Sequence, residues 1–292
     1  MFKPYGVITP VLTALDENEN FNKDAYQKFI DHLIKSGVHG IFSLGTNGEF
    51  YAFSFEEKLE IIKAAVEAVD GRVPVYAGTG CVTTKETVEL SKAVEALGGV
   101  DCLSVISPYF TAITQDDLYR HYSAVAKAVN LPILLYNIPA RTGNNIAFTT
   151  VKKLAEFDNI IGIKDSSGNF DNTLKYIENT DPRLHVLAGS DSLILWTLKA
   201  GGSGAISGCS NVFPELMVSI YELFKKGDFE AANEAQKKIR PFRNVMQMGN
   251  PNSVVKRAAQ LLGYEVGPAR APSNVQNEAI DKALLDVFKL YK

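Results

Sequence analysis

From one end of the chain to the other, short apolar runs rich in Val, Ile and Leu alternate with longer stretches whose apolar residues recur at helical spacing. The short runs cover residues 6–11, 40–44, 73–77, 102–106, 133–137, 160–164, 184–188 and 204–207. They are too short for helices. Being apolar throughout rather than alternating with polar residues, they fit strands covered on both faces, as in a parallel sheet packed between helices. Helix starts are legible between them. Ser54-Phe55-Glu56-Glu57 and Thr83-Thr84-Lys85-Glu86 have the spacing of a capping box, in which hydroxyl and carboxylate satisfy orphan backbone donors reciprocally. Eight strand–helix repeats are what a closed (β/α)8 barrel needs. A doubly wound open sheet would carry a glycine-rich turn after its first strand, and Thr9-Pro10-Val11-Leu12 stands there instead. From Pro214 onward the pattern is helical only, including residues 250–263 and 275–291, with Gly249-Asn250-Pro251 and residues 263–272 as punctuation. The expected organisation is an α/β protein: a (β/α)8 barrel over residues 1–213 and a helical C-terminal extension over 214–292.

Composition narrows the function classes. The 292 residues carry 30 basic and 33 acidic side chains, a net charge of -3, and the sequence pI is about 5.9. A protein that grips nucleic acid or an anionic membrane would show a basic footprint, so neither is an expected partner. Met1-Phe2-Lys3-Pro4-Tyr5-Gly6 has none of the marks of a secretory signal, and no apolar run is long enough to span a bilayer. A cytoplasmic protein is expected. Cys81, Cys102 and Cys209 are too scattered for a disulfide framework, and His32, His39, His121 and His185 stand apart without a metal-ligand spacing. No metal site is expected.

The chemistry is expected where strands end. Side chains alternate along a strand, which puts Gly162 and Lys164 on one face and Ile161 and Ile163 on the other. With the isoleucines against the helices, Lys164 points into the barrel, at the end where catalytic groups of such barrels sit. An ammonium facing an apolar cavity is costly to keep charged, so its pKa falls and a nucleophilic amine becomes available for imine formation with a ketone. Most strand-end lysines reach solvent, but Gly162 leaves room for this one to fold inward or for a ligand. Tyr136 ends the neighbouring strand, close enough for its phenol to move protons for that amine. Gly45-Thr46-Asn47-Gly48-Glu49 forms a tight turn whose backbone N–H groups can hold a carboxylate. Gly189-Ser190-Asp191 and Ser207-Gly208 offer small polar groups for a hydroxylated substrate, and Arg141 a planar fork for a second carboxylate. There is no Walker loop, dinucleotide fingerprint or Gly-x-Ser-x-Gly elbow.

Gly45-Thr46-Asn47-Gly48-Glu49, Tyr136-Asn137-Ile138-Pro139, Gly162-Ile163-Lys164-Asp165 and Gly267-Pro268-Ala269-Arg270-Ala271-Pro272 together resemble the family of dihydrodipicolinate synthase and N-acetylneuraminate lyase, across nearly the whole chain. The resemblance implies a barrel with C-terminal helices, a homotetramer built as a dimer of dimers, a small 2-oxo acid such as pyruvate as substrate, and no metal or organic cofactor. It implies that Lys164 forms the Schiff base, that Tyr136 relays protons, and that Thr46 and Asn47 bind the 2-oxo acid carboxylate. The catalytic candidates are thus Lys164, Tyr136 and Thr46, and the candidate substrate-binding set is Asn47, Gly45, Arg141, Gly189, Asp191 and Ser207.

The motifs divide between subfamilies. Arg141-Thr142 resembles dihydrodipicolinate synthase, in which such an arginine binds the aldehyde's carboxylate. Those synthases also have a second tyrosine after Pro-Tyr, supplied across a dimer contact, where this chain reads Pro108-Tyr109-Phe110. Lys164-Asp165-Ser166, the Gly-Thr-Asn-Gly-Glu-Phe stretch and Gly78-Thr79-Gly80-Cys81 look more like aldolases. Gly189-Ser190-Asp191-Ser192 lacks the glutamate of sialic acid lyases. The expected activity is therefore a class I aldolase releasing pyruvate from a 2-keto-3-deoxy sugar acid or 4-hydroxy-2-oxoglutarate. The alternative is condensation of pyruvate with aspartate semialdehyde; sialic acid cleavage and a non-catalytic 2-oxo acid binder stand behind both.

Overall fold

The computed structural model describes residues 2–273 and 277–291. Its strands are β1 (Gly6–Pro10), β2 (Gly40–Ser43), β3 (Val75–Gly78), β4 (Cys102–Ile106), β5 (Ile133–Asn137), β6 (Ile160–Asp165), β7 (His185–Ala188) and β8 (Gly204–Ile206). All pair in parallel with their sequence neighbours, and β1 pairs with β8, closing the barrel. The helices are α1 (Lys23–Lys35), α2 (Phe55–Val69), α3 (Thr84–Leu97), α4 (Gln115–Ala128), α5 (Pro139–Thr142), α6 (Phe148–Leu154), α7 (Phe170–Asn179), α8 (Ile194–Lys199), α9 (Pro214–Lys225), α10 (Phe229–Lys238), α11 (Arg240–Met246), α12 (Pro251–Leu261) and α13 (Glu278–Phe288). The predicted beginning of the last helix, at Val275, lies outside the described residues. No helix among the described residues is long and apolar enough to cross a membrane.

Each strand sends one side chain into a single interior layer: Ile8, Phe42, Tyr76, Cys102, Leu134, Ile161, Leu187 and Ile206. This packed layer makes the barrel a solid core and gives the cavity above it an apolar floor. Residues of opposite parity, such as Val105, Leu135 and Ile163, pack against the helices. Two expectations fail at β6. Ile161 belongs to the interior layer and not to the helix-facing set, because the β5–β6 register shifts by one residue: Ile133 pairs with Ile160 but Leu134 with Gly162. Such a bulge interrupts strict alternation. Gly162 is also not there to make room for a ligand. A Cβ at that position would meet the His185 carbonyl oxygen at 2.2 Å, so glycine permits the close approach of β6 and β7.

The Ser54 capping box forms in full, with Ser54 N–H donating to Glu57 at 2.7 Å and Glu57 N–H to Ser54 Oγ at 3.2 Å. At Thr83 only half of it forms: Thr83 Oγ1 accepts from Glu86 N–H, but the Glu86 carboxylate takes the Thr83 hydroxyl rather than its backbone N–H. A box the sequence analysis did not single out, Thr114 with Asp117, starts α4. There the capping bonds from Thr114 hold the Asp117 carboxyl down at about 2.

Candidate active site

The carboxyl ends of the strands open into a cavity of about 300 Å³. Lys164 projects into it from the end of β6 and is 4% exposed. Its register partner on β5 is Tyr136. The Lys164 Nζ lies 3.9 Å from the centroid of the Tyr136 ring and 5.4 Å from that of Phe42, so the amine is enclosed by aromatic faces. The Tyr136 hydroxyl is 3.0 Å from Thr46 Oγ1, linking the ends of β5 and β2. Amine, phenol and threonine hydroxyl thus form one contiguous group.

The turn after β2 is held from below. Thr13 Oγ1 donates to the Gly48 carbonyl at 2.7 Å, and Glu49 N–H closes onto the Thr46 carbonyl at 3.2 Å. The N–H groups of Thr46 and Asn47 donate to no other group among the described residues, and both residues line the cavity. These are the free donors a carboxylate needs. Gly45 is buried beneath the turn and does not border this cavity; its Cβ position lies 3.1 Å from Phe42 and Pro10, so it serves the turn and not the ligand.

Of the remaining candidates, Arg141 is exposed on α5 and lines the cavity, as does Gly189. A side chain at Gly189 would collide with Ser166 Oγ, so this glycine lets the β6 and β7 ends meet. Asp191 lines the cavity but is 3% exposed and already engaged: Oδ1 accepts from Ser207 Oγ at 2.6 Å and Cys209 N–H at 3.3 Å, and Oδ2 from Arg243 Nη1 at 3.4 Å. Ser207 is fully buried behind the wall, where it supports Asp191 and accepts from Ser210 N–H at 3.1 Å. The structure does not bring Ser207 to the cavity. The four histidines each have a partner: His32 with Tyr264, His39 with Glu222, His121 with Thr84 and His185 with Ser203. Among the described residues no group of three His, Cys, Asp or Glu could hold a metal. All three cysteines are buried thiols.

Three features escaped the sequence analysis. Asp165, next to the lysine and on the opposite face, accepts from Asn137 Nδ2, Ser167, Asn172 and Thr173, which pins the end of β6. Glu49 is 1% exposed, with Oε1 2.7 Å from Lys256 Nζ of α12 and Oε2 accepting from Arg270 N–H at 2.7 Å. Burial pulls the Lys256 ammonium pKa down while the Glu49 charge opposes it. The Arg270 guanidinium reaches on to Glu57 and lies 4.4 Å from the Phe53 ring, so the chain's two outer motifs are physically one unit. Finally, Arg243 and Met246 of α11 and Asn252 of α12 form part of the cavity wall. The helices after β8 complete the site, which hydrophobic periodicity does not signal.

Phe110 occupies a left-handed backbone conformation (φ 74°) in the loop after β4 and is 99% exposed, while Tyr109 beside it is partly buried, its phenol pushed up to about 12 by desolvation. Asn144 fixes this loop by donating to the Pro108 and Thr111 carbonyls.

The profile of the Dihydrodipicolinate synthetase family matches residues 3–289. A 4-hydroxy-tetrahydrodipicolinate synthase of Methanospirillum hungatei is 36% identical over 290 residues, 98% of this chain and 99% of that one. A solved dihydrodipicolinate synthase superposes with a TM-score of 0.93 at 36% identity, covering 98% of both chains. YagE, a prophage protein of the dihydrodipicolinic acid synthase family from E. coli K12 solved in complex with pyruvate, gives 0.93 at 33% identity, again over 98% of each chain. A closed barrel with a buried lysine at the end of β6, matched from end to end by such relatives, places this chain in the dihydrodipicolinate synthase family, as a carbon–carbon lyase.

Proposed function

We propose that the protein condenses pyruvate with aspartate semialdehyde, the activity its curated relatives carry in their names. The observation that supports it most directly is the Lys164 amine seated against Tyr136, whose hydroxyl is bonded to Thr46. Lys164 attacks the pyruvate C2 carbonyl, and loss of water leaves an iminium. The free N–H groups of Thr46 and Asn47 hold the pyruvate carboxylate. Tyr136, having given its proton to the departing water, takes one from C3 to leave the enamine; the enamine C3 attacks the aldehyde carbon, and Tyr136 passes the proton on to the oxygen that becomes the C4 hydroxyl. The amino group of the semialdehyde portion then displaces Lys164 at C2, closing the ring and freeing the amine. Arg141, exposed at the rim, supplies a donor for the carboxylate of the aldehyde.

The aldolase reading runs the same bond chemistry backwards, and the comparisons favour it less. Phe110 keeps it in view, since it stands where the synthases have a second tyrosine and offers no proton. Two measurements decide between them: product formation from pyruvate plus aspartate semialdehyde, and pyruvate release from 2-keto-3-deoxygluconate. Condensation without release supports the synthase; release without condensation overturns it. The tetramer is part of the same proposal and is checked by sedimentation.

A further inference from the structure

Four charged side chains line the 300 Å³ cavity among the described residues: Arg141, Lys164, Asp191 and Arg243. Three are basic and one is acidic. Once Lys164 is consumed in the enamine, two guanidiniums face one carboxylate. That carboxylate is tightly placed, because its Oδ1 takes Ser207 Oγ and Cys209 N–H, and its backbone carbonyl takes Gln236 Nε2 at 2.8 Å. Gln236 is itself locked by accepting from Leu195 N–H at 3.0 Å. Asp191 is thus an anchor, and what it presents at the cavity wall is Arg243.

Arg243 is poorly satisfied there. Among the described residues its guanidinium makes one hydrogen bond, the long 3.4 Å contact to Asp191, and its Nε–H is buried with no acceptor. The side chain is 26% exposed, so its outer face borders the cavity. A half-desolvated guanidinium with most of its five donors unspent is matched by an oxyanion. The pyruvate carboxylate already has neutral backbone donors at Thr46 and Asn47. The surplus positive charge is therefore left for the second substrate.

We propose that Arg243 is a specificity-determining residue that, together with Arg141, reads a carboxylate carried by the aldehyde partner. The site then prefers aldehydes with a distal carboxylate, and disfavours neutral hydroxyaldehydes such as glyceraldehyde, which leave Arg141 without an anion and Arg243 with only its long contact to Asp191. This rests on the imine chemistry proposed above but not on aspartate semialdehyde in particular.

The test uses the full chain with Arg243→Gln and Arg243→Lys, assayed with two substrate pairs. One pair is condensation of pyruvate with aspartate semialdehyde or with glyceraldehyde. The other is cleavage of 4-hydroxy-2-oxoglutarate, which has a distal carboxylate, or 2-keto-3-deoxygluconate, which has none. The expected result is a 10- to 100-fold rise in KM for the carboxylate-bearing member of whichever pair turns over, on the order of one lost charge-assisted contact. The neutral member and borohydride trapping of pyruvate alone shift far less, and Arg243→Lys falls between. Equal losses with both members, or with trapping as well, would mean that Arg243 only supports Asp191, and overturn the proposal. So would faster turnover of the neutral member by the unsubstituted protein. Loss of selectivity confined to 4-hydroxy-2-oxoglutarate, with no condensation activity, sustains the role of Arg243 and removes the synthase reading. Failure to trap pyruvate on the unsubstituted protein removes both.

Discussion

Lys164 is the one amine among the described residues that line the cavity, so Lys164→Ala leaves nothing there to form an imine. Borohydride with pyruvate is expected to add no mass to this variant, and kcat is expected to fall by at least about 10³-fold, since removing a covalent nucleophile abolishes its whole pathway. Tyr136→Phe keeps the ring under the amine but removes the hydroxyl bonded to Thr46. The adduct is then expected to form, while kcat drops about 10²- to 10⁴-fold, the range for a lost general acid–base. Loss of adduct in that variant would place the proton transfer of Tyr136 in imine formation rather than at the aldehyde oxygen. At this scale the sequence was informative: the positions of Lys164 and Tyr136 at the ends of adjoining strands placed both side chains, although strand parity failed at Ile161. It did not show that Ser207 and Gly45 stand behind the cavity lining, because whether a polar residue or a glycine faces a cavity or the packing behind it depends on neighbours that are distant in the chain.

At the scale of elements, the turn after β2 is fixed by α12 and by the segment around Arg270, through Glu49. Breaking one partner of a buried pair leaves the other charge uncompensated. Glu49→Gln is therefore expected to cost about 3–5 kcal/mol in chemical denaturation. Adding Lys256→Met to it is expected to recover part of that loss, because no buried charge then remains. A single-variant loss below about 1 kcal/mol would show that the pair is dispensable. The capping boxes at α2 and α4 illustrate what local sequence does encode: a hydroxyl and a carboxylate three residues apart find each other whatever the rest of the fold does. The bulge at Ile161 is the counter-example, since a register shift belongs to the pairing of two strands and neither strand alone specifies it.

For the whole molecule, the acid limb of stability has an identifiable contributor. His121 on α4 is 3% exposed; its Nδ1 meets Thr84 Oγ1, its Nε2 is buried without a partner, and desolvation pushes its pKa down to about 4. The unfolded chain binds a proton at this histidine below its ordinary value of 6.5, whereas the folded one does not until about pH 4. Stability is therefore expected to fall as pH drops through that window, by on the order of 3 kcal/mol from this group. Comparing His121→Gln with the unsubstituted protein by urea denaturation at several pH values isolates the effect. Parallel pH dependences would show that His121 is not its source.

Local patterning settled the eight strands, their succession around a closed barrel and the lysine–tyrosine pair, because continuous apolar runs and capping chemistry are features of a few neighbouring residues. Long-range contact decided the rest: the Asn137–Asp165 bond between β5 and β6, the Glu49–Lys256 clamp and the wall contributed by Arg243. Each of these joins groups that the chain separates and only packing brings within hydrogen-bonding distance. No spacing in the sequence records such meetings, since each exists only where packing between distant segments holds the two groups together and offsets the cost of desolvating them.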